Sequence, residues 1–519
     1  AAAGCRHAFG IPGGEVLTLL RALDEAGIAF HLCKHENAGG FMAEGTWHAT
    51  GAPGVLLATL GPGLANTVNV AANALQDQVP LIILSGRVDP EDAVSYTHQV
   101  IDHTALMRPV CKTSLAVADG GVDLAIDRAV TVAQADPPGP VHIDVPVRLA
   151  ASKQRPARVA MPGPTRGQPV PGAALTAARD RLARARRPVM VVGMGAVQHG
   201  AGERIRAVCE RFGMPLVTTY KAKGIIQETH PLCLGGHGLS PLSDSYVLAL
   251  LEQADLVLTV GYDPIEMRAG WREPWTPDRA IELLHAAPQH AMHGAALRFV
   301  GDVGAGLSAL SEGIEPAGTT WPDREPEKVR RDLAAAFAAR NGRGPDAMFD
   351  AVRRALPGDA VATADSGAHR ILMSQMWQCE RPGQLLQSSA FCTMGCALPL
   401  AIGYKVARPD TPVLAVMGDA GLEMILGELA TVRDLQLAIP ILVLVDGSLA
   451  LIERKQRATG APALGVTFGS SDFSAIAEAM GGVGRYIHDG EQLASELNAA
   501  LARDRFTIIA CQIDTTDYD

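Results

Sequence analysis

The sequence predicts an α/β protein made of three doubly wound parallel-sheet domains, and three observations lead there. At 519 residues the chain is too long for one apolar core and fits about three domains. Short β-rich runs alternate with Ala-rich helical stretches along its whole length, the pattern of parallel sheets covered on both faces. Two polar or Pro-rich interruptions, at 151–175 and 319–342, divide that alternation into three.

The first segment, 1–150, offers strands at 30–35 (FHLCKH), 54–61 (GVLLATLG), 80–86 (PLIILSG) and 141–146 (VHIDVP), with helical stretches at 37–50 and 64–78. Residues 151–175 hold five prolines and few large apolar residues, which marks a linker. The central segment, 176–318, offers strands at 188–195, 215–220, 254–261 and 297–303. A second linker is expected at 319–342. The third segment, 343–519, offers strands at 360–367, 411–421, 440–448 and 506–514.

Composition agrees with this reading and removes several function classes. A 48% hydrophobic chain with 4% aromatics and 54 glycines suits compact α/β packing and excludes a disordered chain. The net charge of −10 is dispersed, so no basic footprint for nucleic acid or an anionic membrane exists. No apolar run reaches the ~18–20 residues a membrane helix requires. The opening AAAGCRHAFGIPGG lacks the basic and apolar regions of a secretory signal. It reads as the end of a helix entering a strand, so a few preceding residues are expected outside this numbering. Nine cysteines without a C-x-x-C pair point to buried free thiols in a reducing, cytoplasmic setting.

Open parallel sheets bind ligands beyond the carboxyl ends of their strands, so the polar residues that follow strands carry the chemistry. GDAGLEM (418–424) follows the apolar run VLAVM. Its small residues let the backbone approach an anion, and the next helix would aim its N-terminus there. Asp419 is a hard oxygen ligand at that strand end. Asp446 ends ILVLV 27 positions later, the length of a strand–helix–strand unit, which puts both aspartates on one sheet edge. Two carboxylates, a backbone carbonyl and diphosphate oxygens would complete an octahedral Mg²⁺ site. Taken alone, Asp419 is equally an N-cap and Asp446 a turn residue.

In the first segment, Glu36 follows FHLC and opens a helix in KHENAGGFMAEG (34–45). A carboxyl group so placed is partly desolvated, which favours its protonated form and suits proton sharing with a neutral heterocycle. A first-turn acid favourable to the helix dipole is the bland alternative.

Together these motifs resemble those of the thiamine-diphosphate-dependent acetolactate synthase family, closest to its catabolic, FAD-independent type. GDAGLEM with Val445–Asp446 is similar to the family's GDG followed by paired Asn/Asp residues, with Ala420 replacing the second glycine and Val445 the first Asn. His35–Glu36, Met42–Ala43 and Gly45 resemble the family's glutamate signature. The resemblance implies metal ligation by Asp419, Asp446 and the Ser448 carbonyl. It implies diphosphate contacts from Gly418, Ala420, Gly421, Leu449, Ala368 and His369, the last two in ADSGAHRILMSQMW (364–377). In SSAFCTMGCALPLAIG (388–403), it makes Met394 the prop beneath a bent cofactor and lets the Cys392 carbonyl hold the 4′-amino group. Glu36 would contact the aminopyrimidine N1′, with Asn73 nearby.

The loops GIPGG (10–14) and LGPGLAN (60–66) look like pyrimidine-side loops of the family, although each alone is an ordinary tight turn. THQVIDHTALMRPVCK (97–112) is similar to its His-Gln loop and would put His98 and Gln99 near the substrate. Glu453, Lys455 and Gln456 lie where substrate-selecting residues sit in the family.

In the central segment, GMGAVQHG (193–200) fails G-x-G-x-x-G spacing, which argues against a dinucleotide site and an NAD(P)-dependent dehydrogenase. ADLVLTVGYDPIEM (254–267) lacks the FAD-contacting stretch of the biosynthetic enzymes, so no FAD is expected. The family's active site joins two subunits, which implies a homodimer or homotetramer.

The implied activity is decarboxylation of pyruvate and carboligation to a second 2-oxo acid, giving acetolactate or a related acyloin acid. The rivals are a 2-oxo-acid decarboxylase, a carboligase with another donor or acceptor, and a non-catalytic cofactor-binding relative.

Overall fold

The computed structural model describes residues 1–153, 165–288, 292–316, 318–340 and 343–518. Three six-stranded sheets appear, and every strand pair within them is parallel. The first contains β1 (His7–Ile11), β2 (Ala29–Leu32), β3 (Gly54–Ala58), β4 (Leu81–Arg87), β5 (Thr113–Ala116) and β6 (Val141–Pro146), in the order β2-β1-β3-β4-β6-β5. The second contains β7 (Pro188–Val192), β8 (Leu216–Thr218), β9 (Cys233–Gly236), β10 (Leu256–Val260), β11 (Ala280–Leu284) and β12 (Leu297–Val300), in the order β12-β11-β10-β7-β8-β9. The third contains β13 (Val361–Ala364), β14 (Leu385–Gln387), β15 (Val413–Gly418), β16 (Pro440–Val445), β17 (Val483–Ile487) and β18 (Thr507–Gln512), in the order β14-β13-β15-β16-β18-β17. The outer sheets therefore share one topology, and the central sheet has another.

The central strands are those the apolar runs predict. GVLLA, PVMVV, LVLTV and PILVLV are buried along their full length, because helices cover both faces of each sheet. The sequence reading did not mark β5, β9, β14 and β17. All four are sheet edges, with one neighbour each and three to five residues, so no continuous apolar run announces them. β11 reads AIELL, which has no period-2 alternation and looks helical, yet all five residues are buried.

The span 319–342 is more than a linker. A helix at Glu325–Ala336 fills it, opening with Pro326 in its first turn and with Glu325 and Glu327 facing the positive end of the helix dipole. Its Leu333, together with Trp321, packs into an apolar cluster with Val189, Val217 and Val257. Within 151–175 the helix Ala173–Arg184 begins early, and residues 154–164 lie outside the described residues.

The first and third sheets share a single apolar cluster. Its centre is a crossing between the helix Glu36–Thr50 and the helix Ala397–Ala407. Phe41, Met42, Leu398 and Leu400 are fully enclosed there, each contributing about 1.5–3 kcal/mol of burial. The crossing is backbone to backbone: a Cβ on Gly403 would stand 1.8 Å from the Met42 carbonyl oxygen, and one on Gly45 would stand 2.3 Å from that of Leu400. Among the described residues no helix is long and apolar enough to cross a membrane.

Candidate active site

In the third sheet the strand order reverses between β13 and β15, the place where open parallel sheets bind ligands beyond their carboxyl ends. The loop after β13 passes through Gly367 into the helix Ala368–Met376, and the loop after β15 starts at Gly418. The His369 ring lies between these two glycines: a Cβ would come within 2.6 Å of it at Gly367 and 3.5 Å at Gly418. His369 is buried, its Nε2 has no protein partner, and burial pushes its pKa down to about 3. A neutral ring with one orphaned nitrogen between two glycines at that place is a cradle for a polar ligand.

Asp419 sits on the same edge. Its Oδ2 accepts the backbone N–H groups of Asp446 at 3.1 Å and Gly447 at 2.8 Å, which brings the ends of β15 and β16 together. Asp446 in turn accepts the Ser448 N–H at 2.9 Å. Burial raises both carboxyl pKa values, and the nearby Asp419 charge helps push Asp446 to about 7. Two acids held together against their own repulsion fit a divalent cation. Among the described residues no cluster of three His, Cys, Asp or Glu could hold a metal. A cation here therefore needs further oxygens, which a backbone carbonyl and a diphosphate can supply. Ala420 lies in the helical turn Asp419–Glu423, so it needs no glycine. Val445 is enclosed in the apolar cluster, so no polar partner is missing there.

The loop between β14 and the helix Ala397–Ala407 carries Cys392 and Met394, both half-buried. Asp365, fully enclosed at the end of β13, anchors it by accepting the N–H groups of Gly395 and Cys396 at 2.9 Å each. Cys392 has φ +60°, the left-handed region. A glycine reaches that conformation freely, whereas cysteine gives up about 1–2 kcal/mol there.

In the first sheet the reversal lies between β1 and β3. Glu36 begins the helix Glu36–Thr50, and the His35 side chain caps that helix by accepting the Asn37 N–H. Glu36 is 5% exposed. Asn66 donates to its Oε2 at 2.9 Å, and a Cβ on Gly63 would lie 3.3 Å from its Oε1. Glu428, from the third sheet's side, accepts the N–H groups of Lys34 and His35 at 3.0 Å each and so fixes the chain just before Glu36.

Gly61 donates to His103 Nε2 at 3.0 Å, which leaves the His103 proton on Nδ1, facing Asp144 at 3.0 Å. The Gln99 carbonyl rests against Gly61, where a Cβ would stand 2.5 Å away. Gln99 and His98 are both exposed on that loop.

Ala368, His369, Gly418, Asp419, Ala420, Gly421, Asp446, Ser448 and Leu449 lie at or just after the ends of the adjoining strands β13, β15 and β16. Within one chain, no hydrogen bond or ion pair among the described residues joins Glu36 to Asp419, Asp446 or the Cys392–Met394 loop. Asn73 departs from the expectation. It is fully buried and committed to protein at both ends of its amide, donating to Glu44 and accepting from Ser388, so it ties the two sheets together.

Residues 453–456 belong to the helix Ala450–Ala458. There Glu453 accepts from Ser448 Oγ, and Gln456 donates to the Leu464 carbonyl. The sequence reading missed Asp365, Asn66 and Glu428. Asp365 follows a strand just as Asp419 does, and that position was the available signal.

At the switch point of the central sheet, between β7 and β10, the loops pack closely against each other. A Cβ on Gly193 would stand 2.5 Å from the Gly261 carbonyl oxygen, and one on Gly195 would meet the His285 ring at 2.2 Å.

Family comparison matches residues 1–106 to the N-terminal TPP binding domain of thiamine pyrophosphate enzymes. Residues 175–310 match their central domain, and residues 365–511 their C-terminal TPP binding domain. The chain is 29% identical to an acetolactate synthase of Bacillus subtilis, with 99% of this chain and 91% of the relative covered. It is 30% identical to a probable 2-ketoarginine decarboxylase, AruI, of Pseudomonas aeruginosa, covering 98% and 91%. It is 29% identical to the acetolactate synthase isozyme 1 large subunit of Escherichia coli, covering 87% and 81%.

Proposed function

The chain belongs to the thiamine pyrophosphate enzymes, and on that premise we propose that it decarboxylates pyruvate and joins the remaining fragment to a second 2-oxo acid, giving acetolactate or a related acyloin acid. One observation carries the reading. A buried glutamate opens a helix at the switch point of one sheet, and two mutually repelling aspartates sit at the switch point of another sheet of the same order.

Thiamine diphosphate, when bound, supplies a carbon nucleophile that accepts and releases an acyl group. The chain's own residues hold and orient it. Asp419, Asp446 and the Ser448 carbonyl would grip Mg²⁺. His369 Nε2 and the backbone at Ala368, Gly418, Ala420, Gly421 and Leu449 would receive the diphosphate. Glu36 would hold a proton at the aminopyrimidine N1′. The Cys392 carbonyl would accept from the 4′-amino group, and Met394 would support the bent molecule from below. His98 and Gln99 would face the substrate. The cofactor set we propose has no FAD, because ADLVLTVGYDPIEM (254–267) lacks the FAD-contacting stretch of the biosynthetic enzymes.

The family resemblance implies a site shared between subunits, and on that ground we assign the Glu36 half and the Asp419–Asp446 half of each site to different copies, in a homodimer or homotetramer. A reducing, cytoplasmic setting fits the nine free cysteines.

The relative named as a 2-ketoarginine decarboxylase supports a second reading, decarboxylation without carboligation. Incubating the purified protein with thiamine diphosphate, Mg²⁺ and a panel of 2-oxo acids separates the two. Acetolactate from pyruvate supports the first, acetaldehyde alone the second, and no CO₂ from any acid would reject both.

A further inference from the structure

Two guanidinium groups from different sheets converge on Cys392. Arg370 Nη2 lies 3.4 Å from its sulfur, and Arg268 Nη2 lies 3.8 Å away. Arg370 is 2% exposed, donates through Nη1 to the Ser388 carbonyl, and has no partner for its Nε. Among the described residues, neither arginine pairs with a carboxylate.

Two other enclosed cations, both lysines, have carboxylate partners. Lys223 meets Glu228 at 2.7 Å and Lys221 meets Asp77 at 3.1 Å. An enclosed cation without a counter-charge costs several kcal/mol, so a second cation drawn to the same point calls for an anion. The buried Ser389 Oγ, also without a partner, lies in the same loop as Cys392.

On the reading above, the place adjoins the cofactor, because Arg370 follows His369 and Cys392 lies in the loop assigned to the 4′-amino group. Arg370 follows His369 on one helix, but its side chain turns toward the β14 loop, whereas the His369 ring rests on Gly418. The diphosphate cradle and the arginine pair are thus separate neighbours. Planar guanidinium forks match carboxylate and phosphonate oxygens. One suffices for the carboxylate that every 2-oxo acid carries, which leaves the other for a second anionic group.

We infer that Arg268 and Arg370 form a subsite that selects, as the acceptor, a 2-oxo acid bearing a second anionic group. This rests on the carboligation reading above. In that reaction the donor's bond to its carboxylate breaks and CO₂ leaves. The electron pair left behind forms the new C–C bond to the acceptor's keto carbon, and the keto oxygen takes up a proton.

The test has two arms. The enzyme loaded with thiamine diphosphate and Mg²⁺ is given pyruvate as donor, with 2-oxobutanoate, 2-oxoglutarate, oxaloacetate or 3-phosphonopyruvate as acceptor. We expect kcat/KM at least tenfold higher for the dianionic acceptors, and Arg268→Gln, at an exposed position, should erase most of that preference. Equal use of neutral and dianionic acceptors, unchanged in Arg268→Gln, would overturn the subsite.

The second arm needs no catalysis. 2-Oxoglutarate, but not 2-oxobutanoate, should raise the melting temperature of the unloaded wild type, and Arg268→Gln should lose the rise. An absent rise overturns the subsite, whereas absent CO₂ release overturns only the proposed function.

Discussion

Asp419 accepts the backbone N–H of Asp446 at 3.1 Å, which brings two acids from neighbouring strands together, and among the described residues no cationic side chain bonds either. Replacing Asp446 by Asn keeps the shape and the bond to Ser448 but removes one charge. Thiamine diphosphate affinity measured with Mg²⁺ should then fall at least tenfold, which is ~1.4 kcal/mol, while the melting temperature without Mg²⁺ holds or rises. Undiminished Mg²⁺-dependent binding would remove the metal from this place.

Glu36→Gln retains the length of the side chain and a hydrogen-bonding end beside Asn66. Proton sharing is lost, so turnover should fall on the order of 10²–10⁴-fold. Cofactor affinity, read by fluorescence titration, should stay within about tenfold because the diphosphate end is untouched. Normal turnover in this variant would refute the assigned role.

Gly403→Ala puts a methyl group into the Met42 carbonyl, and neither neighbour can move without parting the two helices. The loss should be about 1–3 kcal/mol or more, seen as a lower midpoint in urea. Gly469, with open space around it, serves as the control, and its Ala variant should stay within about 0.5 kcal/mol of wild type.

Glu266 is enclosed near Lys221 and Asp77, and burial raises its pKa from the ordinary 4.5 to about 7. The folded state therefore holds this proton more tightly than the unfolded chain does. The stability it contributes is full below about 4.5 and is lost as the pH rises toward 7, by roughly 3 kcal/mol at most. Glu266→Gln should remove that slope, with denaturation midpoints close to wild type at acid pH and higher above neutrality. A slope identical to wild type would show that the group is ionised throughout.

The fold was largely legible because buried parallel strands must be apolar on both faces, and GVLLA or PILVLV can hardly be anything else. Edge strands such as Leu385–Gln387 escape because half their surroundings are open and the run is short. The aspartates were legible for a related reason, since polar residues directly after such strands stand out. Glu428 and Asn66 were not. Each acts on a residue far away in sequence, Glu428 on Lys34 and His35 and Asn66 on Glu36, and only folding creates those contacts. The Arg268–Cys392–Arg370 convergence is of the same kind, joining positions 124 and 22 residues apart.

The backbone contact at Gly45 and Gly403 has a consequence for assembly. It ties the helix that begins at Glu36 to the helix that follows the Cys392–Met394 loop, so in the assembly proposed above each copy would meet its mate as a finished block carrying two complementary half-sites. On that proposal a two-fold pairing would complete both catalytic centres in one event or neither. Dilution should extinguish activity in a single transition, with no half-active species between.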